Sequence, residues 1–171
     1  MSGVNTSIHQ MSVFVGTLII MIGFMLILCI IEYLVAALAY QKVFKQFGYQ
    51  KAWLAWIPFG NYYGISELAA QLKGNPEKMD IVSNFSISNK YFKFWWIISI
   101  ALIFLPFTTL SNLLSALLRV FCLGRCFTII MAKQDNKTEK EVETFGHISS
   151  VLPVIAQIKF LTTKTNNTEI H

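Results

Sequence analysis

Apolar stretches separated by polar, lysine-bearing segments set the rhythm of the chain. Residues 13–39 are almost wholly apolar over 27 positions, and a helix needs about 20 such residues to cross the hydrocarbon of a bilayer. This predicts a first transmembrane helix over about 13–40. Gly16 and Gly23, seven residues apart, predict a face where another helix comes close. Residues 94–105 are apolar and lead into a bend without charges at Pro106 and residues 108–112. Residues 113–132 are again apolar, except for Arg119 and Arg125. Together they predict a tight helical hairpin with spans over about 94–110 and 111–132. A last apolar segment, 145–161, is interrupted by Pro153, and its 17 residues sit at the lower limit for a crossing. Residues 1–12 and 162–171 are polar and predict tails on either side of a single membrane domain over 13–161. Residues 1–12 carry no Lys or Arg, so a leader with a basic n-region is not expected and the first span is read as retained. No internal repeat supports an inverted-repeat transporter.

The stretch 51–74 is different. It is apolar and aromatic, yet broken in the middle. Pro58 has no backbone N–H and biases Ile57 away from helix. Gly60 and Asn61 then supply turn and cap chemistry. Gly60, Gly64, Glu67 and Gln71 recur at spacings of four, three and four, which places them on one small-and-polar helical stripe. Lys73, Gly74 and Pro76 form a stop signal. The prediction is a short helix, a Pro-Phe-Gly-Asn turn and a second short helix, a re-entrant or interfacial hairpin. Residues 75–93 read as a polar loop. Tyr91, Phe92, Phe94, Trp95 and Trp96 follow as an aromatic belt. The expected fold class is thus an all-α integral membrane protein of about four transmembrane helices plus a Pro-broken helical hairpin.

Composition agrees with this pattern. Of 171 residues 54% are hydrophobic and 13% charged, with a mean hydropathy of +0.53, whereas a soluble domain has about 25% charged residues. The net charge of +5 comes from lysines that flank apolar runs, so a topological bias explains it better than nucleic-acid binding, which is not expected. With residues 51–74 kept on one face and four spans, Lys42, 45, 51, 73, 78, 90, 93, 133, 137 and 140 share a side against Lys159 and Lys164. The expectation is a cell-membrane protein with both termini extracellular and the hairpin on the cytoplasmic face. Trp53, Trp56, Trp95 and Trp96 would then anchor that same interface.

Charges inside the hydrocarbon are costly and need partners. Glu32 precedes Gln41 by nine residues and Arg125 precedes Lys133 by eight, so both fall about 12–14 Å from the cytoplasmic face. An intramembrane ion pair between Glu32 and Arg125 is expected, either as a packing device or as a proton or ion relay. Arg119 lies deeper. It would find Asn61, Glu67 or a carbonyl of the hairpin, or would snorkel outward. Asn61, Glu67 and Arg119 are therefore candidates for a polar contact site, with Glu67 facing water as the simpler reading. Arg119, Cys122 and Cys126 share a helical face, but a metal site would need more thiolate or imidazole ligands. Cys29, Cys122 and Cys126 all lie in apolar runs and read as small buried hydrophobes. No nucleophile and base set is present. No catalytic residue, cofactor or metal is expected.

The run A-W-L-A-W-I-P-F-G-N-Y-Y over residues 52–63 resembles a motif of poorly characterised small multi-pass membrane proteins of low-GC Gram-positive bacteria. In that group a basic residue often stands where Glu67 falls here. The resemblance implies an integral membrane protein and no established activity. Three functional readings follow from the residues. The first is a non-enzymatic scaffold, accessory or immunity-type partner of another membrane protein, or one that self-associates. The second is a small transporter or channel that uses the broken hairpin with Glu32, Arg119 and Arg125. The third is a membrane-interface enzyme.

Overall fold

The computed structural model describes residues 2–82, 85–105 and 108–163. The expected bend at Pro106 and the tail beyond Thr163 lie outside the described residues. The chain divides into two units, Met1–Val35 and Ala36–His171. Helix is the dominant structure, and the described residues hold seven α-helices and one two-stranded antiparallel sheet.

Helix α1, Ser2–Gln46, begins inside the polar N-terminal segment. Its first unit is plain: from Met11 to Leu34 the large apolar side chains are exposed. A stretch apolar on every face has no soluble face to bury and suits hydrocarbon as its solvent. A Cβ added at Gly16 or Gly23 would meet nothing within 4 Å, so no close helix approach occurs there among the described residues. Val13–Gln46 within α1, and Thr109–Asp135 within α5, are long and apolar enough to cross a membrane.

The second unit is built on α5, Thr108–Asp135. Leu123, Cys126, Phe127, Ile129, Ile130 and Met131 of this helix are buried. The end of α1 and the turn after it pack there through Tyr40, Val43, Phe44 and Phe47. Gly48, at φ 64°, ends α1 with the backbone sign that glycine tolerates. A 3-10 turn over Ala52–Trp56 follows, then α2 over Gly60–Leu72, so the stretch is broken around Pro58 as expected. Its turn is tighter than the residue types suggest. Phe59, not glycine, takes the left-handed conformation at φ 64°, which costs a bulky residue about 1–2 kcal/mol. Gly60 is needed for space, because a Cβ there would lie 2.9 Å from Cβ of Ile57. Phe59 stacks on Trp96 with ring centroids 5.9 Å apart, a contact that holds the turn in place.

Residues 75–93 do not form a loop. They fold as strand β1, Lys78–Val82, strand β2, Phe85–Ser88, and the short helix α3, Asn89–Lys93. The register pairs Lys78 with Ser88, Met79 with Ile87 and Asp80 with Ser86. Met79 and Ile81 are buried while Lys78 and Asp80 are exposed, the period-two alternation of a half-buried strand. The stretch reads as polar in part because half of β1 faces away from the core.

Helix α4, Trp95–Ile103, has nine residues, a length of about 14 Å and less than half a bilayer. The expected span over 94–110 is therefore not one regular helix. The segment 145–161 departs further. It is divided between α6, Glu139–Val151, and α7, Pro153–Thr162. Pro153 has no N–H to continue α6 and starts α7 instead, as the first-turn position allows. Lys159 of α7 then meets Asp135 at the end of α5 at 2.7 Å, and sits 5.9 Å from the ring centre of Phe145 on α6. So α7 comes back alongside α6 and does not extend it. Thr138 caps α6 reciprocally with Glu141.

Helices α5 and α6 approach through two glycines. A Cβ at Gly146 would stand 2.1 Å from Oγ1 of Thr128, 2.9 Å from its backbone nitrogen and 3.0 Å from the Gly124 carbonyl. Backbone cannot yield as a side chain can. Gly146→Ala is expected to lower stability by about 1–3 kcal/mol, read as the thermal midpoint in detergent, while Gly16→Ala leaves it unchanged.

Candidate functional site

Glu67 is the most constrained acid in the second unit. It lies on the inner face of α2 and is 8% exposed. Tyr49, just past the end of α1, donates its hydroxyl to Oε2 of Glu67. Lys51 reaches the same oxygen at 3.0 Å and Oε1 at 3.2 Å. Tyr63, one turn earlier on α2, donates its hydroxyl at 3.2 Å. The carboxylate thus ties the segment after α1 to the second arm of the hairpin. Burial by itself pushes the Glu67 carboxyl up. The Tyr49 hydroxyl and Lys51 outweigh it and hold the group below its ordinary value of 4.5. The hydrogen bond to Glu67 raises Lys51. Burial, and then Glu67, raise the Tyr49 and Tyr63 hydroxyls. Each of these shifts favours the charge the group ordinarily carries at neutral pH.

A second hub is Ser66, fully buried beside Glu67. Its hydroxyl donates to the Tyr62 carbonyl at 2.9 Å and receives the Trp95 indole N–H at 3.1 Å. The Cys126 thiol lies 3.6 Å away. Trp95, 3% exposed, is therefore a core residue that joins α4 to α2 and not an interface anchor. Trp53 and Trp56 on the 3-10 turn are exposed, and Trp96 is half-buried against Phe59.

Arg125, expected to pair with Glu32, is satisfied within its own unit. Its guanidinium forms an ion pair with Glu139 and donates from Nε to the Asp80 carbonyl at 2.8 Å. Lys73 approaches the same carboxylate at 3.2 Å. Helix α5, helix α6, the end of α2 and strand β1 thus meet around the Arg125–Glu139 pair. Glu32 belongs to the first unit and is exposed there. Asn61 is buried, and its side-chain oxygen accepts the Tyr62 N–H at 2.7 Å. Arg119 pairs with neither Asn61 nor Glu67. It is exposed on α5 and lines two shallow cavities, of about 190 and 310 Å³, beside Ser99, Ser115, Asn112 and Ser150. The expected convergence of Asn61, Glu67 and Arg119 does not occur.

Among the described residues no cluster of three His, Cys, Asp or Glu could hold a metal ion. His147 contacts the Val120 carbonyl at 3.2 Å and serves the packing of α6 on α5. Sequence reasoning missed Tyr49 and Lys51 as partners of Glu67, and Glu139 as the partner of Arg125. Separations of 18 and 14 residues across a turn carry no periodic signal. No protein-family model, no curated protein and no solved structure matches the chain.

Because the folded Glu67 carboxyl titrates lower than an unfolded one, its contribution is fully present above pH 4.5 and is lost as pH falls through its folded value. Glu67→Gln should lower stability at pH 7 by about 1–3 kcal/mol. It should also flatten the loss of stability that the unsubstituted protein shows below pH 4.5. Denaturant unfolding of both forms across acid pH measures this.

Proposed function

We propose that the chain is a non-enzymatic multi-pass membrane protein that serves as a scaffold, accessory or immunity-type partner of another membrane protein. The observation that carries the reading is how the polar groups are spent. Transport or catalysis would gather Asn61, Glu67, Arg119 and Arg125 around one water-filled cavity. Glu67 is instead closed off by Tyr49, Lys51 and Tyr63, Arg125 by Glu139, and Asn61 by its own helix. Arg119 forms no ion pair among the described residues and remains the charge offered from an apolar helix. An exposed guanidinium flanked by hydroxyls suits a carboxylate on a partner helix, and the partner would relieve its cost in hydrocarbon.

The layout in the membrane belongs to the same reading. Helix α1 crosses inward, the segment that begins with α4 crosses outward and α5 crosses back, so that the 51–74 hairpin lies at the cytoplasmic face and the N-terminus is extracellular. The segment 139–163 dips inward and returns, because Lys159 sits against Asp135. Thr163 then comes to the cytoplasmic side, where the sequence alone suggests a fourth crossing and an extracellular C-terminus. The eleven lysines of the described residues share one face in this arrangement, which suits the positive-inside bias.

Two measurements test this. In a background with Cys29, Cys122 and Cys126 replaced, Lys78→Cys and Thr163→Cys should both resist an impermeant maleimide on intact cells. Labelling at 78 would remove the layout, and labelling at 163 would restore a fourth crossing. A photo-reactive side chain at Leu113 or Ala116, beside Arg119, should give one discrete heavier adduct in membranes that Arg119→Ala abolishes. Ion or proton flux through reconstituted vesicles that Arg119→Ala removes would favour a transporter instead.

A further inference from the structure

Three charges lie within the apolar stretches of α1 and α5. Glu32 is the only Asp, Glu, Lys or Arg among residues 1–41, and Arg119 and Arg125 are the only ones among residues 94–132. Arg125 is neutralised by Glu139. That leaves Glu32 and Arg119, which are opposite in sign and both exposed. Neither forms an ion pair among the described residues. Both lie in helices long and apolar enough to cross a membrane, where a charge without a partner is costly.

Depth selects the partner. The end of α1 runs in the same direction as α5, because Tyr40 stacks on Phe127 with centroids 6.4 Å apart and Gln134, further on, donates to Gln46 at 2.8 Å. Glu32 precedes Tyr40 by eight residues, and Arg119 precedes Phe127 by eight. Counted along an ideal helix, each stands about 12 Å further toward the outer face. Two copies inserted alike are related by an axis normal to the bilayer. Such an axis preserves depth, so a residue of one copy meets only residues of its own level in the other. Glu32 and Arg119 stand at one level by this count. Around Glu32 the side chains of Leu28, Ile31 and Leu34 are exposed, so that stretch of α1 is open to a neighbour.

We propose that two copies of this chain pair in the membrane, with Glu32 of each against Arg119 of the other. The contact is self-complementary, as a two-fold interface requires. It leaves no charge over, and the Arg119 site is incomplete without the second copy. A guanidinium can take a carboxylate through two parallel N–H donors. This inference rests on the reading of Arg119 as a contact for a membrane partner, and names that partner as the chain itself.

Cys29 and Ala116 are both exposed and stand three residues before the two charges, one turn further out. Two differently tagged full-length chains are co-expressed, each with Cys122→Ala and Cys126→Ala. The first keeps Cys29, and the second carries Cys29→Ser with Ala116→Cys. Oxidation of the membranes with copper-phenanthroline should give a disulfide-linked species that bears both tags, at twice the 19.5 kDa of one chain. Glu32→Gln in both chains, or Arg119→Gln in both, should lower its yield by on the order of tenfold. Arg119→Gln in the first chain with Glu32→Gln in the second leaves one pair between chains and none within either, and should restore much of the yield. That recovery also shows that both variants fold. The proposal is overturned by a yield that ignores Glu32 and Arg119, by failure of the complementary pair to restore it, or by a disulfide that forms only within one chain carrying both cysteines. If the mixed species is missing while the photo-adduct at Ala116 has another mass, a foreign partner holds Arg119 and only this inference falls. Absence of both species removes the partner reading as well.

Discussion

The contact between α5 and α6 at Gly124 and Gly146 fixes most of what surrounds it. With no side chain on either residue, the Gly124 carbonyl comes within 3.0 Å of where a Gly146 Cβ would be. That proximity sets the line of α6 along α5. His147 and Ser150 then both reach the Val120 carbonyl, at 3.2 and 3.1 Å. Where α6 stops at Leu152, Pro153 launches α7 back toward the end of α5. Phe160 thereby packs edge-on against Phe127, centroids 5.7 Å apart, and approaches Tyr40 at 6.4 Å. A bulkier residue at either glycine would move α6, and the aromatic core would lose the ring that α7 delivers.

Charge obeys the same geometry. The ion pairs Lys51 with Glu67, Lys73 and Arg125 with Glu139, and Lys159 with Asp135 all tie separate elements of the second unit together. Lys42 adds a further tie by donating to the Leu161 and Thr163 carbonyls that close α7, at 2.6 and 2.8 Å. A helix end leaves such carbonyls without partners, and a lysine is well suited to them. In a partly buried setting a paired charge is costly to break, so these contacts fix which elements meet. Surface pairs of equal number would do little. In the Glu67 cluster two tyrosines and a lysine converge on one carboxylate.

Local signals carried the sequence reading as far as such signals reach. Twenty-seven apolar residues in a row dictate α1 wherever they are placed. Pro58 breaks the 51–74 stretch because it lacks an N–H, and the run into Lys133 dictates α5. Those conclusions depend on neighbours within a turn or two. The β-hairpin was hidden because Lys78, Asp80 and Ser86 occupy the outward half of its alternation and dominate the count of polar residues.

Only the tertiary structure decided which charges pair and which way the last segment runs. Arg125 could have reached any acid at its depth. Glu139 wins because the short turn after α5 brings it back beside that helix, where Asp80 of β1 also presents a carbonyl. The 145–161 segment is as apolar as a crossing, but its direction after Pro153 is set by Asp135, 24 residues before Lys159. Hydropathy reports how much of a segment prefers hydrocarbon. It holds no information on contacts made across such distances, and those contacts turned a read-through into a return.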